Sequence, residues 1–192
     1  MILYTINGSG SDAVQTLANV LTIKIESRSR SDHRVALESI NRSATVPTLQ
    51  SDDLVLTETV AILRFLANKY DSSLLGKTES DRAKVDELLS IISTGLYAGY
   101  IQFFRPEKFC SHSEMHDDVK RMAATNLAQA LDHLEAHLPK SNSYLIGDYP
   151  TLVDFYLPVL LRWQQNIQPL NNETPKLLAY WNFVQQQPCA QK

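Results

Sequence analysis

Three short stretches carry residue types and spacings that can do chemistry. NGSGSDAVQ (7–15) places two glycines and two serines, Ser9 and Ser11, ahead of a helix-like run. Unpaired N–H groups at a helix start favour an anion, and a serine there can donate a hydrogen bond, act as a nucleophile or simply cap the helix. The turn lacks the lysine and spacing of a phosphate loop, so it does not cradle a nucleotide. LTETVAIL (56–63) sets Glu58 and Thr59 at a second helix start. An acid, a hydroxyl and free N–H groups together suit the amine and carboxylate of an amino acid; the simpler alternative is that Glu58 complements the helix dipole. HSEMH (112–116) puts two histidines at i and i+4, but no third ligand is evident and no metal is expected.

The elements that must position these residues follow from periodicity. ILYTI (2–6) reads as a buried strand, Ser11 and Asp12 cap a helix running to Leu21, and TIKIE (22–26) alternates as a half-buried strand. SRSRSDHR (27–34) reads as loop or exposed helix start, followed by a short helix with Val35, Leu37 and Ile40. VPTLQ, SDD and LVL form a hairpin, and Thr57 opens a helix with Val60, Ile62, Leu63, Leu66 and Ala67 as its apolar stripe. A small mixed sheet covered by helices is expected.

After Gly76 the pattern changes to long amphipathic segments with no convincing strand. DSSLLGKTES (71–80) is the natural boundary. The fold class is therefore α/β followed by all-α: one unit at 1–75, a connector at 76–81 and a helical unit at 82–192. Thr151 and Asp154 form a capping motif, and Pro158 is expected to kink the helix they open.

Composition narrows the partners. With 44% hydrophobic and 20% charged residues the chain is an ordinary globular one, and a net charge of −3 gives no reason to expect nucleic acid or an anionic membrane. No run is long enough to span a bilayer. Cys110 and Cys189 fit neither a disulfide framework nor a metal spacing, which makes a cytoplasmic setting the default.

Specific residues carry a resemblance. NRSATVPTLQSDDLVLTETVAILRFLANKY resembles the centre of a glutathione S-transferase, and YLIGDYPTLVDFYL resembles that family's Gly-Asp-x-x-Thr/Ser-x-x-Asp signature. MILYTINGSGS is similar to the opening of the bacterial beta class. In register, the three cover nearly the whole chain.

The resemblance implies a thioredoxin-like N-terminal domain, an all-helical C-terminal domain and a homodimer. It implies glutathione as co-substrate and a small hydrophobic electrophile as its acceptor. Pro47 would be cis, with Val46 pairing its backbone to the cysteinyl unit. Glu58 would meet the γ-glutamyl amine and Thr59 its carboxylate. A cation for the glycyl carboxylate would come from among Arg28, Arg30, His33 and Arg34, with Arg30 as the candidate.

The resemblance also locates two departures. Gly10 falls where beta-class relatives carry a cysteine, so a mixed disulfide at this turn is not expected, and Ser9 or Ser11 is left as a donor to the sulfur or as a plain cap. In LYAGYIQFF (96–104) Tyr97 falls at a histidine's place, where its hydroxyl could face the sulfur. Tyr100, Phe103 and Phe104 would wall the electrophile pocket. The implied activity is conjugation of the glutathione thiolate to hydrophobic electrophiles; the alternative is a non-catalytic binding or regulatory protein that retains glutathione.

Overall fold

The computed structural model describes residues 1–138, 143–168, 170 and 173–191; the expected end of the helical unit at 192 lies outside them. The chain begins β1 (Ile2–Thr5), α1 (Ser11–Val20), β2 (Glu26–Ser29), α2 (Arg34–Ile40), β3 (Thr48–Ser51), β4 (Leu54–Thr57) and α3 (Thr59–Tyr70). The strands form one sheet in the order β2-β1-β3-β4. β2 runs parallel to β1, and β3 is antiparallel to both β1 and β4.

Alternation along β1 divides the two faces. Leu3 enters a core with Ala13, Val14 and Leu17 of α1 and Ile62, Leu63 and Leu66 of α3. Tyr4 points the other way, against Leu37 of α2 and Ala44. In the two-residue turn between β3 and β4, Asp52 takes a φ of 53°, which aspartate tolerates better than most residues.

Two local expectations are corrected. No strand forms at 22–25: Thr22 has a φ of 55°, and the Ile23 N–H donates to the Ala18 carbonyl at 2.8 Å. Ile23 and Ile25 are half-buried because the chain folds back over the core, while pairing with β1 starts only at Glu26. The edge strand is thus the polar ESRS, as an edge permits. Ser11 does not cap α1 either. Gly10 is the N-cap, no side chain caps the helix, and Ser11 is its first helical residue.

The remaining elements are α4 (Glu79–Ile91), a π-helical segment Ile92–Tyr97, α5 (Ala98–Phe104), α6 (His116–His137), α7 (Leu152–Gln165) and α8 (Pro175–Val184). Among the described residues no strand follows β4. α4 begins within the stretch read as a connector, fixed by a Thr78–Asp81 capping box. Gly99 lets α5 approach α6, since a Cβ there would lie 2.8 Å from the Leu127 side chain.

α7 is the central post. It is buried without a break from Leu152 to Leu161 and packs against α1, α3 and α4. A helix apolar on all sides needs such surroundings. Its start is fixed by the fully buried Asp154. That carboxylate accepts from Thr151 N at 2.8 Å, Thr151 Oγ1 at 3.0 Å, Leu145 N at 3.2 Å and Tyr180 Oη at 3.2 Å. Pro158 lies buried inside this helix.

Candidate functional site

A cleft opens between the sheet unit and the helices. One wall is Thr45, Val46, Pro47, Glu58, Thr59 and Val60; the other is Ser93 and Tyr97 of the π-helical segment and Tyr156 of α7. The Val46–Pro47 bond is cis. Glu58 is the N-cap of α3, exposed, with φ 70° and ψ 121°, a region that residues bearing a Cβ seldom adopt. Thr59 beside it is buried. The structure therefore brings Val46, Pro47, Glu58, Thr59 and Tyr97 to one place.

The two tyrosines of the helical wall sense the opposite wall. Burial, and then the Glu58 carboxylate, holds the Tyr97 hydroxyl above the usual tyrosine range. Burial raises Tyr156 further, Tyr97 and Glu58 add to it, and a hydrogen bond with Thr59 opposes it. Both hydroxyls therefore keep their protons at neutral pH.

Ser9 and Ser11 are tied up within their own turn. Ser9 Oγ lies 2.7 Å from the Ile6 carbonyl oxygen and 2.9 Å from Ser11 Oγ. Ser9 has one proton, which it directs to the Ile6 carbonyl or to Ser11 Oγ. Their oxygens in turn accept from Ser11 N at 3.2 Å and Ile6 N at 3.4 Å. Ser11 faces a separate polar depression with Asn7, Asp12, Gln15 and Ser27. Gly10, between the two serines, packs against two of the cleft residues: a Cβ there would stand 2.4 Å from Thr59 Oγ1 and 3.7 Å from Pro47 Cδ.

Beyond Tyr97 an aromatic group extends along α5 and α7. Trp163 lies 6.1 Å from Tyr97, 5.7 Å from Tyr100 in an edge contact and 6.5 Å from Phe104. Tyr100 is fully buried, with its hydroxyl donating to Gln164 Oε1 at 3.0 Å, so it stands behind the wall. Phe103 is half-buried and Phe104 is 44% exposed, giving that end an open apolar surface.

Of the basic residues, Arg28 is paired with Glu26 at 2.8 Å and Arg34 with Glu38 at 2.7 Å. The His33 ring sits 3.3 Å from the Ser29 carbonyl oxygen. Among the described residues the Arg30 side chain makes no ion pair, while its backbone N–H extends the β1–β2 ladder to Thr5. His112 precedes α6 and His116 opens it, the latter's Nε2 lying 2.9 Å from the Cys110 carbonyl oxygen. No group of three His, Cys, Asp or Glu side chains among the described residues is placed to hold a metal.

Ser93 was not singled out from sequence, while Tyr156 and Trp163 read there as core or substrate wall, with core favoured. Tyr156 and Trp163 sit in the apolar run of α7, where an aromatic residue reads first as core. The usable signal was their hydroxyl and indole N–H, which need partners when buried.

Comparison with known proteins agrees with this architecture. Residues 3–74 match the family model described as Glutathione S-transferase, N-terminal domain, and residues 100–188 match Glutathione S-transferase, C-terminal domain. Glutathione S-transferase 3 of Zea mays is 32% identical over 162 residues, covering 80% of this chain and 72% of that protein. Glutathione S-transferase GstA of Escherichia coli O157:H7 is 28% identical over 190 residues, covering 97% and 88%. The solved structure of a sphingomonad glutathione S-transferase complexed with glutathione is similar at a TM-score of 0.79 and 25% identity, covering 99% of this chain and 95% of that one. A four-stranded sheet unit followed by a helical unit, matched by both family models in order, places this chain in the glutathione S-transferase family.

Proposed function

We propose that the protein binds glutathione in the cleft at Pro47 and transfers its sulfur, as a thiolate, to a small hydrophobic electrophile. The observation that carries this is convergence: the cis Val46–Pro47 bond, the Glu58–Thr59 helix start and two protonated tyrosines from the helical half line one cleft. Val46 pairs with the cysteinyl backbone as strand pairs with strand. Glu58 takes the γ-glutamyl amine, and Thr59 with the α3 N–H groups takes its carboxylate. Arg30, unpaired among the described residues, serves the glycyl carboxylate.

In the reaction the thiol proton leaves to solvent and the sulfur keeps the electron pair. Sulfur then bonds to an electrophilic carbon, from which a leaving group departs or onto whose neighbour a proton is added. The N-terminus of α1 at Gly10 favours the thiolate. Tyr97, Phe103 and Phe104 receive the electrophile, backed by Tyr100 and Trp163. We place the protein nearest the bacterial beta class, as a cytoplasmic homodimer with separate unit boundaries at 1–75 and 82–192.

Calorimetric titration with glutathione, for the unaltered protein and Glu58→Ala, is the direct test. Binding that Glu58→Ala weakens about tenfold is expected, the worth of one charge-assisted hydrogen bond. No binding to the unaltered protein would remove the assignment.

A further inference from the structure

We propose that Trp163 of α7 couples the two ends of the site: its indole ring belongs to the wall that receives the electrophile, and its N–H holds the turn that opens α1 beside glutathione. This rests on the binding reading above and adds a positioning residue to it from the helical half of the chain.

The indole N–H donates to the Gly8 carbonyl oxygen at 2.7 Å. Gly8 is fastened at its other polar group too, its N–H donating at 3.3 Å to Asp12 Oδ1 in the first turn of α1. Two residues on, Gly10 packs so closely that a Cβ there would stand 2.4 Å from Thr59 Oγ1 and 3.7 Å from Pro47 Cδ. The turn is therefore held at one end by the helical half and lies at the other against two residues of the glutathione wall. With no slack at Gly10, a shift at Gly8 is passed on to Thr59 and Pro47.

The same side chain reaches the electrophile's end. Its ring centroid lies 6.1 Å from that of Tyr97, 5.7 Å from Tyr100 and 6.5 Å from Phe104. Tyr97 lines the cleft and Phe104 is exposed, so an aryl ligand seated on them packs against the indole as well. An indole is rigid and planar, and its ring plane and N–H direction move as one. Trp163 is only half-buried, which leaves it two arrangements: N–H on Gly8, or turned away with water on both groups. The ligand on the wall favours the first, and so does glutathione, which needs the turn in place. Two ligands that prefer the same state of a shared element raise each other's affinity, by the same factor in both directions. Arg162, 3.9 Å from Asp12, also joins α7 to the turn, but it is no part of the aromatic group and cannot pass on its occupancy.

The test is calorimetric titration with glutathione at a series of fixed concentrations of 4-nitrotoluene, an aryl compound with no halide to displace, and the reverse titration. In the unaltered protein each ligand is expected to tighten the other by about threefold to fivefold, the reach of one hydrogen bond. Trp163→Phe keeps a ring on the wall but lacks the donor, and should bind both ligands with that factor reduced to about one. Arg162→Gln loosens the turn and leaves the indole in place; it should lower glutathione affinity yet keep the factor, which separates coupling from a general loss of stability. Glutathione affinity that is unchanged or weaker with 4-nitrotoluene present overturns this assignment alone. So does a factor that survives in Trp163→Phe, or one lost equally in Arg162→Gln. Absence of glutathione binding in the unaltered protein overturns it together with the reading it rests on.

Discussion

The indole nitrogen of Trp163 donates to the carbonyl oxygen of Gly8 at 2.7 Å, joining α7 to the first turn across 155 residues of chain. The neighbouring Arg162 lies 3.9 Å from Asp12, whose other carboxylate oxygen accepts from Gly8 N at 3.3 Å. The turn that leads into α1 is thus positioned by the helical half as well as by its own hydrogen bonds.

Trp163→Phe keeps an aromatic ring in the group with Tyr97, Tyr100 and Phe104 but removes that donor. A loss of about 1 kcal/mol in folding stability is expected, the usual worth of one such bond. Glutathione should also bind less tightly, because the turn beside the cleft is freed. Urea unfolding and calorimetry measure the two effects; unchanged values in both would show the bond to be idle.

Glu58→Gly should separate stability from binding. The unusual backbone angles of Glu58 cost on the order of 1 kcal/mol, which glycine would relieve. The variant is therefore expected to melt at a higher temperature while losing about tenfold in glutathione affinity. A lower melting temperature would contradict the strain argument.

Asp154 ties folding to pH. Burial pushes its carboxyl up to about 6, against the pull of hydrogen bonds from Thr151, Leu145 and Tyr180. The folded state therefore holds this proton more tightly than the unfolded chain does. Its contribution is fully present below about pH 4 and is lost as pH rises through about 6, an effect of up to about 3 kcal/mol. Asp154→Asn should flatten that slope, and parallel pH profiles for the two proteins would exclude it. Asp154→Ala, which strands buried donors, should be destabilised and lack the same slope, so its cost is largest below about pH 4 and shrinks as pH rises through about 6.

On the electrophile side, Phe104→Ala removes exposed apolar surface from the end of α5. It should raise KM for a generic aryl halide several-fold while leaving the glutathione affinity unchanged. A fall in glutathione affinity instead would place Phe104 on the wrong side of the cleft.

The order of elements was legible in the sequence because periodicity and capping signals were strong in the long helices and in the hairpin. Glu58 and Thr59 could be placed at a helix start from spacing, whereas the cis bond at Pro47 came only with the family motif, a Val-Pro pair being trans by default. The β2 edge strand was missed since Glu26, Ser27, Arg28 and Ser29 show no apolar alternation; backbone pairing with β1 alone defines it. Tyr156 and Trp163 were read as core in preference to substrate wall for the opposite reason. In a helix buried on every side, side-chain type no longer tells which residues face a cleft.

The π-helical segment Ile92–Tyr97 sets the rotational phase of everything after it in α5. Such a segment amounts to one residue inserted into an α-helix, and one residue turns the helix by roughly 100°. Deleting Gly95 would swing Tyr97 off the cleft and bring a neighbour round in its place. The aromatic wall could therefore be exchanged by a single insertion or deletion, with every side chain in the segment left as it is.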